Sequence, residues 1–155
     1  MKIGISSCLL GVNCKYNGSN NFNELISKVA QKYNIVPMCP EYDSLLPTPR
    51  PPSEIKILID GTKKVYSKTG EDLTQKFKMG AEATLTKVLS NEIELVIMKQ
   101  RSPSCGVGKI YDGTFSGKVI DGNGVAAQLL IDNGIKVITE ENIEELENLL
   151  DKNND

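Results

Sequence analysis

The stretch Leu95-Val-Ile-Met-Lys-Gln-Arg-Ser-Pro-Ser-Cys-Gly-Val-Gly108 decides how this chain is read. Its first four residues are a continuous apolar run of strand length, as expected of a buried strand. The serines, proline and glycines that follow belong to no regular element. Cys105 therefore sits on a tight loop at the end of a buried strand, between two serines and two glycines. That placement suits chemistry, and its meaning depends on what the rest of the chain brings to the same edge.

Working outward, Leu73 to Ser90 shows the 3.6-residue apolar period of a helix, as does Phe22 to Tyr33. Val125 to Asn133 is a third helix, with Gly134 placed to end it. Short β-branched runs at Lys2 to Ser7, Ile35 to Met38 and Lys136 to Ile138 join Leu95 to Lys99 as strands. Ile55 to Ile59 and Lys63 to Tyr66 flank Asp60-Gly61, a hairpin signal, and Ile110 to Asp121 is turn-rich with room for a small hairpin. Leu45 to Ser53 carries four prolines and is expected to be a stiff, extended wall. Thr139 suits the N-cap of a last helix bearing Glu140, Glu141, Glu144 and Glu145; Asn142 stands where a capping box would want Glu or Gln.

Strands alternating with helices imply an α/β fold, with a mostly parallel Rossmann-like or flavodoxin-like sheet, helices on both faces and a small β-hairpin insertion. Residues 1–151 are expected to form a single domain and 152–155 a frayed tail. The net charge of -2, from 18 basic and 20 acidic residues, argues against a nucleic-acid partner. The apolar N-terminal run is too short for a signal peptide, and no run is long enough to span a membrane. A cytoplasmic protein is expected, and the sequence says nothing of its oligomeric state.

In a reducing compartment, four cysteines are free, catalytic or metal-bound more often than disulfide-bonded. The chain has no histidine, which excludes a Ser-His-Asp triad, a Cys-His pair and any histidine-bound metal. Cys8 follows the first strand, Cys39 the second and Cys105 the third. In a parallel sheet those ends share one edge, with neighbouring strands roughly 5 Å apart, so three thiols can meet around one cofactor. Taken one at a time, each cysteine reads best as a small buried hydrophobe; three at strand ends, each beside Pro, Gly or Ser, read better as ligands. Zinc and an iron–sulfur cluster are both open on spacing alone. Three thiolates on a four-iron cluster would leave one iron free for substrate. Cys14 is either a fourth ligand or, the reading favoured here, a loop thiol packed under the site.

These motifs resemble a known family. Ser7-Cys8-Leu-Leu-Gly11 with Cys14-Lys-Tyr-Asn-Gly18, Cys39-Pro-Glu41, Leu46-Pro-Thr-Pro-Arg-Pro-Pro52, Ser102-Pro-Ser-Cys-Gly106 and Tyr111-Asp-Gly-Thr-Phe-Ser-Gly117 look like those of the thiouracil desulfidase (TudS-like) family. The resemblance runs in order from about Met1 to Glu140. It implies a non-redox desulfidase, with a [4Fe-4S] cluster on Cys8, Cys39 and Cys105 and an open iron that takes sulfur from the thiocarbonyl of a small thiolated pyrimidine. It also places Glu41 and Ser102 in the active site. Two positions depart from the pattern: Ser44-Leu45, where Gly-Gly is common, and Lys15, where arginine is more usual.

With no histidine available, Glu41 is the natural acid–base group, its carboxyl raised by an apolar crevice; pairing with Arg50 is its alternative role. Ser104, like Ser102, is placed to hydrogen-bond substrate or water. Arg50 and Arg101 are the only arginines, and each lies in a motif loop able to offer a bidentate grip. Two other function classes stay open: a zinc- or cluster-bearing sulfur carrier or binding module without turnover, and a thiol oxidoreductase using Cys8 and Cys14.

Overall fold

A computed structural model describes residues 2–142, 145 and 148. In chain order the elements are β1 (Lys2–Ser6), a 3-10 turn (Ser7–Leu10), α1 (Glu24–Ala30), β2 (Asn34–Met38), α2 (Pro40–Asp43), β3 (Ser53–Ile57) and β4 (Lys63–Ser67). Then follow α3 (Thr74–Ser90), β5 (Leu95–Met98), β6 (Lys109–Tyr111), β7 (Val119–Asp121), α4 (Val125–Asp132) and β8 (Lys136–Thr139).

Four strands form one parallel sheet in the order β2-β1-β5-β8. Counted within the sheet this is 2-1-3-4, a flavodoxin-like start, whose order reverses between β1 and β5. Ile3 lies opposite Ile35 and Leu95, and Ile5 opposite Pro37 and Ile97. Alternation along these strands sends side chains to two faces. Ile3, Ile5, Leu95, Ile97 and Ile138 pack with Leu9 and with Ile26 of α1. Met38, Val96, Met98 and Val137 pack on the other side with Ala81 and Val88 of α3 and with Ala126, Ala127 and Leu130 of α4. Burial on both faces is what the unbroken apolar run of β5 announces. Removing a side chain such as Ile5 or Ile97, both fully buried, would cost about 2–5 kcal/mol.

Two antiparallel hairpins stand outside the sheet, β3 with β4 and β6 with β7. A third cluster lies beneath them, around Leu46, Ile55, Val65, Phe77 and Ile110. β3 starts at Ser53 and ends at Ile57, earlier than the apolar run Ile55–Ile59 suggests; Ile59 is fully exposed. The turn closes with Leu58 N donating to Thr62 O at 2.8 Å and Gly61 at φ 86.

α1 starts at Glu24 because Asn23 caps it, its Oδ1 accepting from Ile26 N at 3.1 Å. Leu89, on the expected inner face of α3, is 57% exposed, while Phe77, Gly80, Ala81, Thr84 and Val88 are buried there. Gly80 lets α2 approach α3 closely: a Cβ there would stand 2.1 Å from Pro40 O. At Thr139 the sequence reading needs correcting. Asn142 Oδ1 accepts from Thr139 N at 3.1 Å and Thr139 Oγ1 accepts from Glu141 N at 3.3 Å, so the shorter amide side chain makes the reciprocal bond expected of Glu or Gln. The expected last helix beyond Asn142, Glu144 with it, and the tail 152–155 lie outside the described residues, of which only Glu145 and Asn148 fall in that stretch. Among the described residues no helix is long and apolar enough to cross a membrane.

Candidate functional site

Beyond the carboxyl ends of β1, β2 and β5 lies a cavity of about 490 Å³, within the range of small-molecule sites. Cys8, Cys14, Cys39 and Cys105 all line it, and all four are free thiols. Glu41, Ser102, Ser104 and Arg101 line it as well. Arg50 does not; its guanidinium lies behind Glu41.

Each thiol is placed by a different local device. Cys8 leaves β1 in the 3-10 turn, which closes at Gly11 (φ 91). Its Sγ accepts from Asn21 Nδ2 at 3.5 Å, a donor that the asparagine-rich loop did not single out. Cys39 is the residue before Pro40, which starts α2, and Asp43 N donates to its carbonyl at 2.9 Å. Cys105 depends on a loop that is irregular but tied at every turn. Gln100 spans it, with Nε2 donating to Val107 O and Oε1 accepting from Val107 N, both at 2.8 Å. Ser102 Oγ accepts from Ser104 N and Cys105 N at 3.1 Å each.

The start of α4 grips the same loop. Val125 N donates to Pro103 O at 2.8 Å, and Ala126 N and Ala127 N donate to Ser104 O at 2.9 and 3.0 Å. Amides that a helix N-terminus leaves unpaired are thus satisfied by the cysteine loop. Gly124 permits the contact, since a Cβ there would stand 2.4 Å from the carbonyl carbon of Ser104.

The electrostatics divide the thiols. Cys14, 8% exposed, lies beside both Cys8 and Cys39, and its single S–H can turn to either sulfur; these neighbours and burial raise its own pKa. Cys8 is lowered to about 7, by the Cys14 thiol first and then by Asn21 and the Lys99 charge, against its own burial. Cys39 is also lowered, by Cys14 and by the Tyr42 amide. Cys105 is pushed up to about 12 by burial, which outweighs the hydroxyls of Ser104 and Ser6. Cys8 and Cys39 are thus shifted towards the thiolate and Cys105 away from it, so a cation would have most to do at Cys105.

Glu41, the first acid on α2, is raised by burial, although Arg50 opposes the shift with its charge and a hydrogen bond. Arg50 is itself buried and fully engaged. Nη2 donates to Glu41 Oε2 at 3.0 Å and Cys14 O at 3.1 Å, and Nη1 to Thr48 Oγ1 at 3.0 Å and Pro47 O at 3.3 Å. Arg101, at φ 64, pairs with Glu141 at 2.8 Å. Ser102 spends its oxygen on the loop amides and on Ser104 Oγ at 3.0 Å. Gln100, Lys99, Tyr111, Phe115 and Glu54 also line the cavity. In sequence, Tyr111 and Phe115 belong to the Tyr111–Gly117 motif, Lys99 and Gln100 precede the Cys105 loop, and nothing singled out Glu54.

The donor set fits an iron–sulfur cluster: thiols from three adjacent strand ends, no nitrogen ligand, and hydroxyl and amide donors near the sulfurs. Among the described residues no group of three His, Cys, Asp or Glu side chains is placed to hold a single metal ion.

A family model described as 2-thiouracil desulfurase matches residues 3–142. An uncharacterized protein of Bacillus subtilis (strain 168), YbbK, is 42% identical over 147 residues, covering 92% of this chain and 97% of that one. The solved structure of a [4Fe-4S]-dependent thiouracil desulfidase, TudS, is similar with a TM-score of 0.86 and 36% identity over 97% of each chain.

Proposed function

Because this chain belongs to the 2-thiouracil desulfurase family, we propose that it removes sulfur from the thiocarbonyl of a thiolated pyrimidine, leaving a carbonyl. The observation that carries the proposal is the meeting of Cys8, Cys39 and Cys105 in one cavity with the carboxyl of Glu41. The similar TudS structure, named for its [4Fe-4S] dependence, supports the same cofactor here, held by these three cysteines. When bound through three thiolates, such a cluster offers an open iron as a thiophilic acceptor.

The chain's own residues supply the rest. Glu41 brings its carboxyl to the cavity wall with Oε2 fixed by Arg50. Its raised pKa suits it to take a proton from the attacking water and return it to the product. Ser104 Oγ, 3.0 Å from Ser102 Oγ, would hold the substrate or water, with Ser102, whose oxygen is bound to two loop amides, keeping that hydroxyl in position. Lys99 and Arg101 bring positive charge to the cavity, and their pairing with Glu140 and Glu141 limits it.

The test is anaerobic cluster reconstitution followed by sulfide release from 2-thiouracil. Glu41→Gln should keep the cluster absorbance and lose turnover; equal turnover would remove the acid–base role. Cys8→Ser, Cys39→Ser and Cys105→Ser should each lose iron, and Cys14→Ser should keep it. One observation favours a second reading, a thiol oxidoreductase: Cys14 donates to Cys8 and lowers it to about 7. Full activity in iron-free protein would select that reading.

A further inference from the structure

The three phenylalanines and five tyrosines of this chain are few enough to account for one by one. Phe115 belongs to none of the three hydrophobic clusters, yet it lines the cavity. Among the described residues its ring has no aromatic or cationic neighbour. The two other aromatics of the cavity have charged neighbours: Lys15 Nζ lies 5.8 Å from the centre of the Tyr16 ring, and Tyr111 lies beside the Arg101 side chain.

The Phe115 backbone sits at φ 56, a left-handed conformation that bulky residues rarely adopt and that Gly, Asn or Asp would accept in an ordinary turn. One carboxylate oxygen helps to hold it, beside the turn's own bonds to Asp112. Glu54 Oε1 accepts from Gly113 N at 3.0 Å and from Phe115 N at 3.1 Å, fastening the turn across to β3. Gly113 is pressed against that strand, and a Cβ on it would stand 2.9 Å from Ile55 O. The fold thus holds a phenyl ring in a costly backbone state that serves no core. Such strain persists where the surroundings over-determine it, and it concentrates at functional sites.

We infer that the face of Phe115 is where the planar ring of the substrate stacks, and that Glu54 is the positioning residue that keeps it there. The inference rests on the function proposed above and adds its selectivity: flat, conjugated heterocycles over puckered ones with the same polar groups. Stacking on an aromatic side chain supplies affinity without reading ring substituents.

The test compares 2-thiouracil with its 5,6-dihydro analogue, which keeps the thiocarbonyl and carbonyl but loses planarity. Equilibrium Kd values are measured on cluster-loaded wild type, Phe115→Leu, Phe115→Tyr and Glu54→Ala, with iron content and circular dichroism confirming the fold. Phe115→Leu should weaken 2-thiouracil by about tenfold and leave the dihydro compound within about twofold. Phe115→Tyr, which keeps the ring face, should bind as wild type. Glu54→Ala should reproduce the selective loss. An unchanged Kd for 2-thiouracil in Phe115→Leu, or equal losses for both compounds, overturns the inference. Binding is read apart from turnover. A wild type that binds 2-thiouracil through Phe115 but frees no sulfide upholds the stacking face and overturns the reaction.

Discussion

Nη2 of Arg50 stands 3.0 Å from Oε2 of Glu41, with the arginine side chain 4% exposed and the glutamate 19%. The same nitrogen reaches Cys14 O, and Arg50 N donates to Tyr16 O at 2.7 Å. One buried guanidinium therefore fastens the proline-rich wall, the Cys14 loop and the helix bearing Glu41. Removing it leaves a buried acid without its partner. Arg50→Met should cost about 3–5 kcal/mol in urea denaturation. The double variant with Glu41→Gln should recover part of that loss, a coupling that a double-mutant cycle reads directly. Arg50→Lys keeps the charge without the fork, and should lower sulfide release by about a hundredfold if a misplaced Glu41 is the cause.

The thiols of the cluster-free protein should titrate apart. Cys8 should be alkylated with a midpoint about 7 and Cys105 only towards about 12. Because Cys14 is the main cause of the low value at Cys8, Cys14→Ala should move the Cys8 midpoint upward. Site-resolved alkylation by mass spectrometry over a pH series measures both.

Gly124→Ala should disturb the Cys105 loop without touching a cysteine. Its methyl group would meet the carbonyl carbon of Ser104 at 2.4 Å and Cys105 N at 2.6 Å, which are backbone atoms with little room to give. A loss of about 1–3 kcal/mol is expected. Iron bound per chain should fall with it, whereas Lys76→Ala, on the exposed side of α3, should leave iron content unchanged.

Glu140 lets pH dependence be checked at a group that is not itself a proposed cluster ligand. Burial raises its carboxyl above the ordinary 4.5, so the folded chain holds a proton that the unfolded chain has already released. Its contribution is therefore most favourable at low pH and declines as pH climbs from 4.5 through the raised folded value. Relative to Glu140→Gln, which cannot ionise, the wild type should lose denaturation midpoint as pH rises through that window. A parallel pair of curves would contradict the buried carboxyl.

The parallel sheet and the meeting of the cysteines could be read in the sequence because both follow from local patterns. Leu95–Met98 has no polar side to expose, and Cys8, Cys39 and Cys105 each trail a strand. What could not be read depends on approach between distant segments. The pairing of Arg50 with Glu41, offered only as the alternative role of the acid, is the one the structure shows, and nothing local tells that Asn21 reaches Cys8. Nor does the motif around Ser102 reveal that its oxygen is already taken by Ser104 N and Cys105 N. Asn142 shows the opposite error: a rule about residue type missed a bond that the backbone geometry made possible.

The strand order carries a consequence for biogenesis. β1 is flanked by β2 and β5, so Cys8 meets Cys39 across one pairing and Cys105 across the other. A short Cys-rich segment can capture metal while still emerging from the ribosome. This chain has no such segment, and its third thiol arrives only when β5 docks beside the first strand. On the proposed ligand set maturation would wait for the sheet, so a variant that slows that docking is expected to accumulate chains that are metal-poor because they are not yet folded.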